Sequence, residues 1–406
     1  MDFNDSPEEA SFRTQAKAWI AANRPAEGWQ NRTGHDTDAI KVSKDWQKKK
    51  YDAGWACIHW PKEFGGRGAT PIERVIWSQE EGELGQLGGV FIIGQGMCAP
   101  TIMAHGSEAA KARHVPKIAS GEEIWCQLFS EPGSGSDLAG LRTRAEKQGD
   151  EWVINGQKIW TSGAHYADYG ILITRTDPTV AKHKGLTMFY LDMRSPGVTI
   201  KPIKQVSGRS DFNEVYFADV RIPDSQRLGA VGDGWKVSLT TLMNERLAVG
   251  GGFPTNFEEM FEMIKVLEGE NGPAIEDQSV REKMADWYIR SAGLRNTSYR
   301  MISALSRGQA PGPEASISKL VLGVNRLNMA STMLDIQDTY GVISQKDLAV
   351  NGGQFHEIFF RAVAHRIEGG TDEILRNIIA ERVLGLPGDI RVDKDLPFNK
   401  IPTGAN

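Results

Sequence analysis

Cysteine is scarce. Cys57, Cys98 and Cys126 are the only three in 406 residues, and their spacing fits neither a metal site nor a disulfide framework. They read as reduced, mostly buried thiols, and no metal is expected. The opening Met1-Asp2-Phe3-Asn4-Asp5 is acidic with no apolar core behind it, so a cytoplasmic protein without a secretory signal is expected. Apolar runs such as Gly185 to Leu191 are far too short to span a bilayer, which argues against a membrane partner. No Lys/Arg-rich run is present, and 47 basic against 52 acidic residues leave a net charge of −5. Nucleic acid is therefore not an expected partner. Internal repeats are missing too. At 40% hydrophobic and 24% charged residues the composition is that of an ordinary globular chain. Its length suggests two or three domains.

What is present is an order of helix, then strand, then helix. Ser6-Pro7-Glu8-Glu9 reads as an N-cap, followed by Phe12, Ala16, Trp19 and Ile20 on one helical face. Further helical patterns cover Asp38 to Ala53, Pro71 to Leu84 and Pro100 to His114. Residues 1–120 are expected to form an α domain. Short Val/Ile/Leu/Tyr/Phe-rich segments bounded by turn residues then predict a β domain of antiparallel strands, a barrel or sandwich, over 121–228. Long helical segments over 229–387 suggest a bundle. The tail, 388–406, reads as an extended arm or a frayed end. The fold class is α+β.

One stretch, Cys126-Gln-Leu-Phe-Ser-Glu-Pro-Gly-Ser-Gly-Ser-Asp137, joins a short apolar strand to a glycine- and serine-rich turn. Such a turn can present bare N–H groups and hydroxyls to a polar ring edge or a phosphate, although by itself it is equally an ordinary surface turn. Further on come Trp152-Val153-Ile154, an expected Asn155-Gly156 hairpin turn, and Gln157-Lys158-Ile159-Trp160-Thr161-Ser162-Gly163-Ala164. The loop and the Trp-Thr-Ser tripeptide together resemble the flavin-binding middle domain of acyl-CoA dehydrogenases. Matching segments continue with Asn213 to Phe217, Val220 to Pro223, Gly232-Asp233-Gly234-Trp235, and Glu368-Gly369-Gly370-Thr371-Asp372-Glu373-Ile374. The similarity runs to about Pro387, and the three-part order is the family's.

The resemblance implies bound FAD and oxidation of an acyl-CoA thioester to the trans-2-enoyl-CoA, a base removing the α-proton while a hydride leaves the β-carbon. Gln127, Leu128, Phe129 and Ser130 are then expected at the pyrimidine edge of the flavin. Ser136 belongs where FAD and the CoA portion meet. Trp160 lies against the flavin ring, with Thr161 and Ser162 in polar contact. Thr371, Asp372 and Glu373 open a helix that meets FAD, and Thr371 is also a plausible N-cap. Gly369 and Gly370, with Met243 and Arg246, border the substrate. Gln337 matches a glutamine that reaches a neighbouring subunit's FAD, and Gln278 resembles another cofactor contact.

The family keeps its base in two places. One is the residue before the Gly-Thr pair, here Gly369, which has no group to act. The other is the first long helix after the β domain, where Leu242-Met243-Asn244-Glu245-Arg246-Leu247 supplies Glu245. A carboxylate serves as such a base when desolvation raises its pKa. Glu245 could also be a surface carboxylate paired with a basic neighbour, and Glu368 is the rival base.

Two segments depart from the family pattern. Lys265 to Ala274 lacks the Arg-x-x-Phe-Gly motif that grips the FAD pyrophosphate across subunits. After Gln337 the usual Gly-Gly-x-Gly has become Tyr340-Gly341-Val342-Ile343, with Gly341 the cofactor-side glycine that remains. Three functions stay open: a dehydrogenase passing electrons to an electron-transfer flavoprotein, a flavin monooxygenase or oxidase on the same fold, or an FAD-binding subunit without catalysis of its own. The expected assembly is a homotetramer or a mixed two-plus-two (α2β2) tetramer.

Overall fold

The computed structural model describes residues 5–29, 37–249, 256–269, 272–307, 315–390, 393 and 395–402. The chain divides into two compact units. The first takes in Met1–Lys204, Ser210–Ala248 and Arg391–Asn406; the second takes in Gln205–Arg209 and Val249–Ile390.

In the first unit α1 (Pro7–Asn23), α2 (Thr37–Asp52), α3 (Pro71–Glu81), α4 (Ala99–His105) and α5 (Glu108–Ser120) precede the strands. The predicted start of α1 is a full capping box: Ser6 accepts from the Glu9 N–H, and the Glu9 carboxylate accepts from the Ser6 N–H at 2.7 Å. Thr70 and Glu73 repeat the device on α3. These helices close over a tryptophan cluster in which Trp55 stacks on Trp77 at 4.7 Å. Two helical predictions need correction. The pattern from Pro71 stops at Glu81 and continues as a 3-10 run, Gly82–Phe91, and then a π-turn, Gly94–Cys98. Pro100 to His114 is two helices, because Ser107 caps a new one with its hydroxyl on the Ala110 N–H.

The strands are β1 (Trp125–Leu128), β2 (Arg144–Gln148), β3 (Glu151–Ser162), β4 (Tyr169–Arg175), β5 (Leu186–Asp192), β6 (Val198–Ile203), β7 (Phe212–Pro223) and β8 (Arg227–Leu228). They form one sheet in the order β6-β7-β3-β2-β4-β5-β8, with β1 parallel on β4 and one further parallel pairing between β2 and β4. Asn155-Gly156 makes no hairpin. β3 runs straight through it as a bulge opposite β7, and the true two-residue turn is Gly149-Asp150. Asn155 is held in the ladder by exchanging side-chain hydrogen bonds with Asp219, at 2.9 and 3.0 Å. One face of the sheet packs Trp125, Phe129, Ile171 and Tyr190 against α4 and α5, while Cys126, Leu128, Leu172 and Phe189 fill the other side. Helix α6 (Gly234–Val249) leaves the sheet. The tail is not wholly an extended arm: Pro397 bridges to Ala181, and Phe398–Lys400 forms a 3-10 turn on the β4–β5 connection.

The second unit holds α7 (Phe257–Ile264), the small pair β9 (Glu268–Gly269) and β10 (Gly272–Pro273), α8 (Gln278–Ser306), α9 (Ala315–Ile336), α10 (Gln354–His365) and α11 (Asp372–Arg382). Met260, Met284, Trp287, Met329, Met333 and Phe355 form its core. Among the described residues no single helix is long and apolar enough to cross a membrane.

Candidate active site

In the first unit the glycine-rich loop is held at both ends and stapled at its middle, where buried Ser134 exchanges backbone hydrogen bonds with Glu131 at 2.9 and 3.0 Å and its hydroxyl donates to the Asp137 carbonyl. At its start Glu131 is buried and accepts from the Arg142 N–H at 2.6 Å, the Thr143 N–H at 2.8 Å and Lys158 Nζ at 2.9 Å. Lys158, 0% exposed, also donates to the Phe129 carbonyl at 2.9 Å. Burial pulls the Lys158 ammonium down to about 8 despite its anionic partner. Burial also opposes the Glu131 carboxylate, yet the Lys158 charge and the three donors hold it below its usual range. A pair this deep is costly to break, because one charge would be left uncompensated. At the loop's end both Asp137 oxygens lie 3.0 Å from Lys182 Nζ. Between these anchors Gly133, Gly135 and Ser136 are exposed, and nothing stands within 4 Å of where a Cβ at Gly133 or Gly135 would be.

Next to the loop, the Ile159 N–H donates to the Ser130 carbonyl at 2.9 Å. A second irregularity of β3, between Lys158 and Thr161, brings Trp160 to φ 59°, left-handed backbone that a bulky residue rarely adopts. Its indole is 57% exposed and meets Phe212 edge-on, centroids 6.2 Å apart. Ser162 is half-buried. Thr161 is turned inward and buried; its carbonyl accepts from Asn213 Nδ2 at 2.9 Å, and its hydroxyl has no hydrogen-bond partner among the described residues.

Glu245 and Gln127 meet. Thr101 and Thr241 hydroxyls lie 2.9 Å apart, and His105 Nε2 is 2.8 Å from the Thr240 hydroxyl, which fixes α6 against α4. One turn beyond Thr241, the Glu245 carboxylate accepts from Gln127 Nε2 at 3.4 Å, although 118 residues separate them. Met243 is exposed. Arg246 continues the helix, but its side chain lies outside the described residues.

In the second unit Gly369 and Gly370 have φ of 61° and 98°, and Thr371 caps α11 by accepting from the Ile374 N–H at 3.2 Å. Asp372 is buried and accepts from Arg366 Nε at 2.7 Å. N–H donation at the helix start, foremost from its own backbone, holds the Glu373 carboxyl below its usual range. Arg361 grips both oxygens of Glu368, at 2.8 and 2.7 Å. Gln337 is buried and donates to the Met333 carbonyl at 2.9 Å; Gly341 accepts from His356 Nε2 at 2.8 Å. Gln278 opens α8 at the surface and donates to Glu282 at 3.1 Å.

Family models cover almost the whole chain: "Acyl-CoA dehydrogenase, N-terminal domain" matches residues 6–122, the middle domain 126–220 and the C-terminal domain 232–384. The chain belongs to the acyl-CoA dehydrogenase family. Its members are FAD-dependent oxidoreductases acting on CH–CH donors. Among relatives, Acyl-CoA dehydrogenase IpdE1 of Mycobacterium tuberculosis is 34% identical over 94% of this chain and 98% of its own length. Acyl-CoA dehydrogenase FadE34 of the same organism is 38% identical over 83% of this chain, a match that spans only 45% of that longer protein. Two solved structures are similar throughout. The Tcur3481-Tcur3483 steroid ACAD has a TM-score of 0.81 at 29% identity, covering 96% of this chain and 100% of its own. The ChsE4-ChsE5 complex from Mycobacterium tuberculosis has 0.80 at 26%, with 96% and 100% covered.

Within this acyl-CoA dehydrogenase the parts missed from sequence are the anchors. Lys158 carried no clear signal, because it follows Asn155, Gly156 and Gln157 in a strand of mixed polarity. Arg361 carried none, because its partner depends on how a helix face is turned.

Proposed function

We propose that the protein dehydrogenates an acyl-CoA thioester at its α,β-carbons, with Glu245 as the base. The observation that carries the choice of base is the contrast between two carboxylates. Glu368 is clamped by both nitrogen–oxygen contacts to Arg361, whereas Glu245 is half-buried at the end of β1 beside the Gln127 amide. A carboxylate with both oxygens engaged must give up hydrogen bonds before it can approach a substrate carbon. The Gln127 amide belongs to the strand that runs into the glycine-rich loop, so Glu245 stands at the loop's side of the fold.

The chain's own groups fit FAD on the first unit's side. Trp160 is held outward by a strained backbone, the Gln127–Ser130 strand end lies beside it through the Ile159–Ser130 hydrogen bond, and the loop apex is free of side-chain obstruction. FAD bound there supplies the hydride acceptor. Trp160 and Ser162 form one wall, Ser130 and Ser136 offer hydroxyls, and Glu245 takes the α-proton. Thr161 contributes backbone, its side chain being turned inward. Thr371, Asp372 and Glu373 remain proposed cofactor contacts at the start of α11, and Gly369 and Gly370 proposed substrate contacts. Gln337, turned into its own bundle, and Gln278 remain proposed cofactor contacts, as does Gly341. Met243 and Arg246 border the substrate, and an electron-transfer flavoprotein is the proposed electron acceptor.

The steroid ACAD makes ring-bearing acyl groups the first class to try on this chain. Two similar structures name two different components each, which favours the mixed tetramer over the homotetramer. Light scattering with a flavin count per chain, with and without a partner subunit, decides the assembly. The base is tested by Glu245→Gln, which keeps FAD but loses about 10²–10⁴ in the rate of substrate-dependent flavin bleaching. Glu368→Gln keeps much of the rate. The opposite pair of results moves the base to the C-terminal loop. Rapid oxygen consumption by the reduced protein would instead favour an oxidase.

A further inference from the structure

We propose that Asp393 and the C-terminal turn Phe398–Lys400 form a latch that holds the glycine-rich loop in its ligand-binding shape. The proposal rests on the reading of that loop as part of the cofactor and acyl-CoA site. Lys182 Nζ, its side chain only 11% exposed, is shared between Asp137 of the loop and Asp393 of the tail, the latter at 2.6 Å. The tail is fixed in turn by the Phe398 N–H on the Val180 carbonyl and the Asn399 N–H on the Pro178 carbonyl, both 2.9 Å.

Phe398 supplies the second attachment. The Arg175 guanidinium lies 3.5 Å from the centre of its ring, and that of Arg142 lies 5.6 Å away. Arg175 is buried and donates to the carbonyls of Ala139, Leu141 and Lys182, so it ties the residues just after the loop to the β4–β5 connection. Arg142 gives its backbone N–H to Glu131 at the loop's other end. The tail thus reaches both anchors, one through Lys182 and one through Arg142. In the stretch between them Ser134 is already tied to Glu131 and Asp137, and Gly133, Gly135 and Ser136 are the exposed residues whose ordering costs conformational entropy. Holding the ends lowers that cost when a ligand binds. The tail lies beyond the matched C-terminal family domain, which ends at 384.

The test uses the full-length FAD-loaded protein carrying Asp393→Asn, Phe398→Ala, or both. Hydrogen–deuterium exchange is followed over residues 132–140, with β5 as an internal control, and the dissociation constant of coenzyme A is measured by calorimetry. The double variant is expected to exchange about tenfold faster across the loop with β5 unchanged. Its coenzyme A affinity is expected to fall about tenfold, the size of one charge-assisted contact plus one cation–π contact partly lost. Asp393→Glu should restore most of the single-variant loss. Should the double variant fail to fold, Asp393→Asn alone carries the same readouts. Unchanged exchange in the loop of a folded variant overturns the latch. Faster exchange with unchanged coenzyme A affinity leaves the latch standing and removes the loop from the acyl-CoA site.

Discussion

Trp160 sits at the conflict between backbone and function. An indole on left-handed backbone costs on the order of 1 kcal/mol that a glycine would not incur. The ring gains little in return, being 57% exposed with Phe212 edge-on beside it. A strained, exposed aromatic is what a flat ligand would cover. Trp160→Gly is therefore expected to leave the unfolding free energy within about 1 kcal/mol of the wild type, strain relief offsetting glycine entropy. FAD affinity should fall sharply, read by flavin retention on gel filtration. A variant that binds FAD normally would make Trp160 an ordinary surface residue. The tripeptide was legible in sequence. The φ of 59° was not, because it arises from a register shift against β7 that no local pattern encodes.

At the scale of elements, local signals succeeded where a segment decides its own conformation. Ser6 with Glu9 capped α1 as read, since a capping box involves only residues three apart. Asn155-Gly156 failed for the converse reason. The dipeptide is a strong hairpin signal, yet Asn155 bonds Asp219 and Gly156 pairs with Phe217, so a long β7 partner overrides the turn. The glycine is still required. A Cβ there would lie 2.7 Å from Thr143 Cα, at φ 150°. Thr143 also gives its N–H to Glu131 at 2.8 Å, so a shift of Thr143 disturbs the loop anchor. Gly156→Ala is expected to cost about 2–3 kcal/mol by overpacking and to weaken FAD binding with it. Thermal unfolding and flavin titration check both. Full stability would mean that Thr143 yields freely, and that the anchor is looser than its hydrogen bonds indicate.

For the whole molecule, the three-part order and the family could be read from separated segments. The second unit's buried charges could not, because they depend on which faces α9 and α10 turn toward each other. His365 is the clearest case. It is 5% exposed, and burial first, then Arg361, Arg326 and Lys319, hold its imidazole neutral down to about 3. Lys319 and Arg326 lie on α9 and Arg361 on α10, with the Glu368 carboxylate 3.5 Å from the ring. In the unfolded chain the same ring takes a proton near 6.5. Above that pH both states are neutral and the group has no effect. Between about 6.5 and 3 the unfolded state binds more protons, so folding stability falls as the pH falls, by at most about 1.4 kcal/mol per pH unit from this one site. His365→Gln removes the titration and keeps an acceptor for Arg326, whose Nη1 lies 3.4 Å from His365 Nδ1. Urea midpoints measured from pH 7.5 to 5 should therefore decline more steeply in the wild type than in the variant, and the curves should draw together toward pH 5. Parallel curves would show that His365 is protonated in the folded protein, with Glu368 rather than the three cations setting its charge.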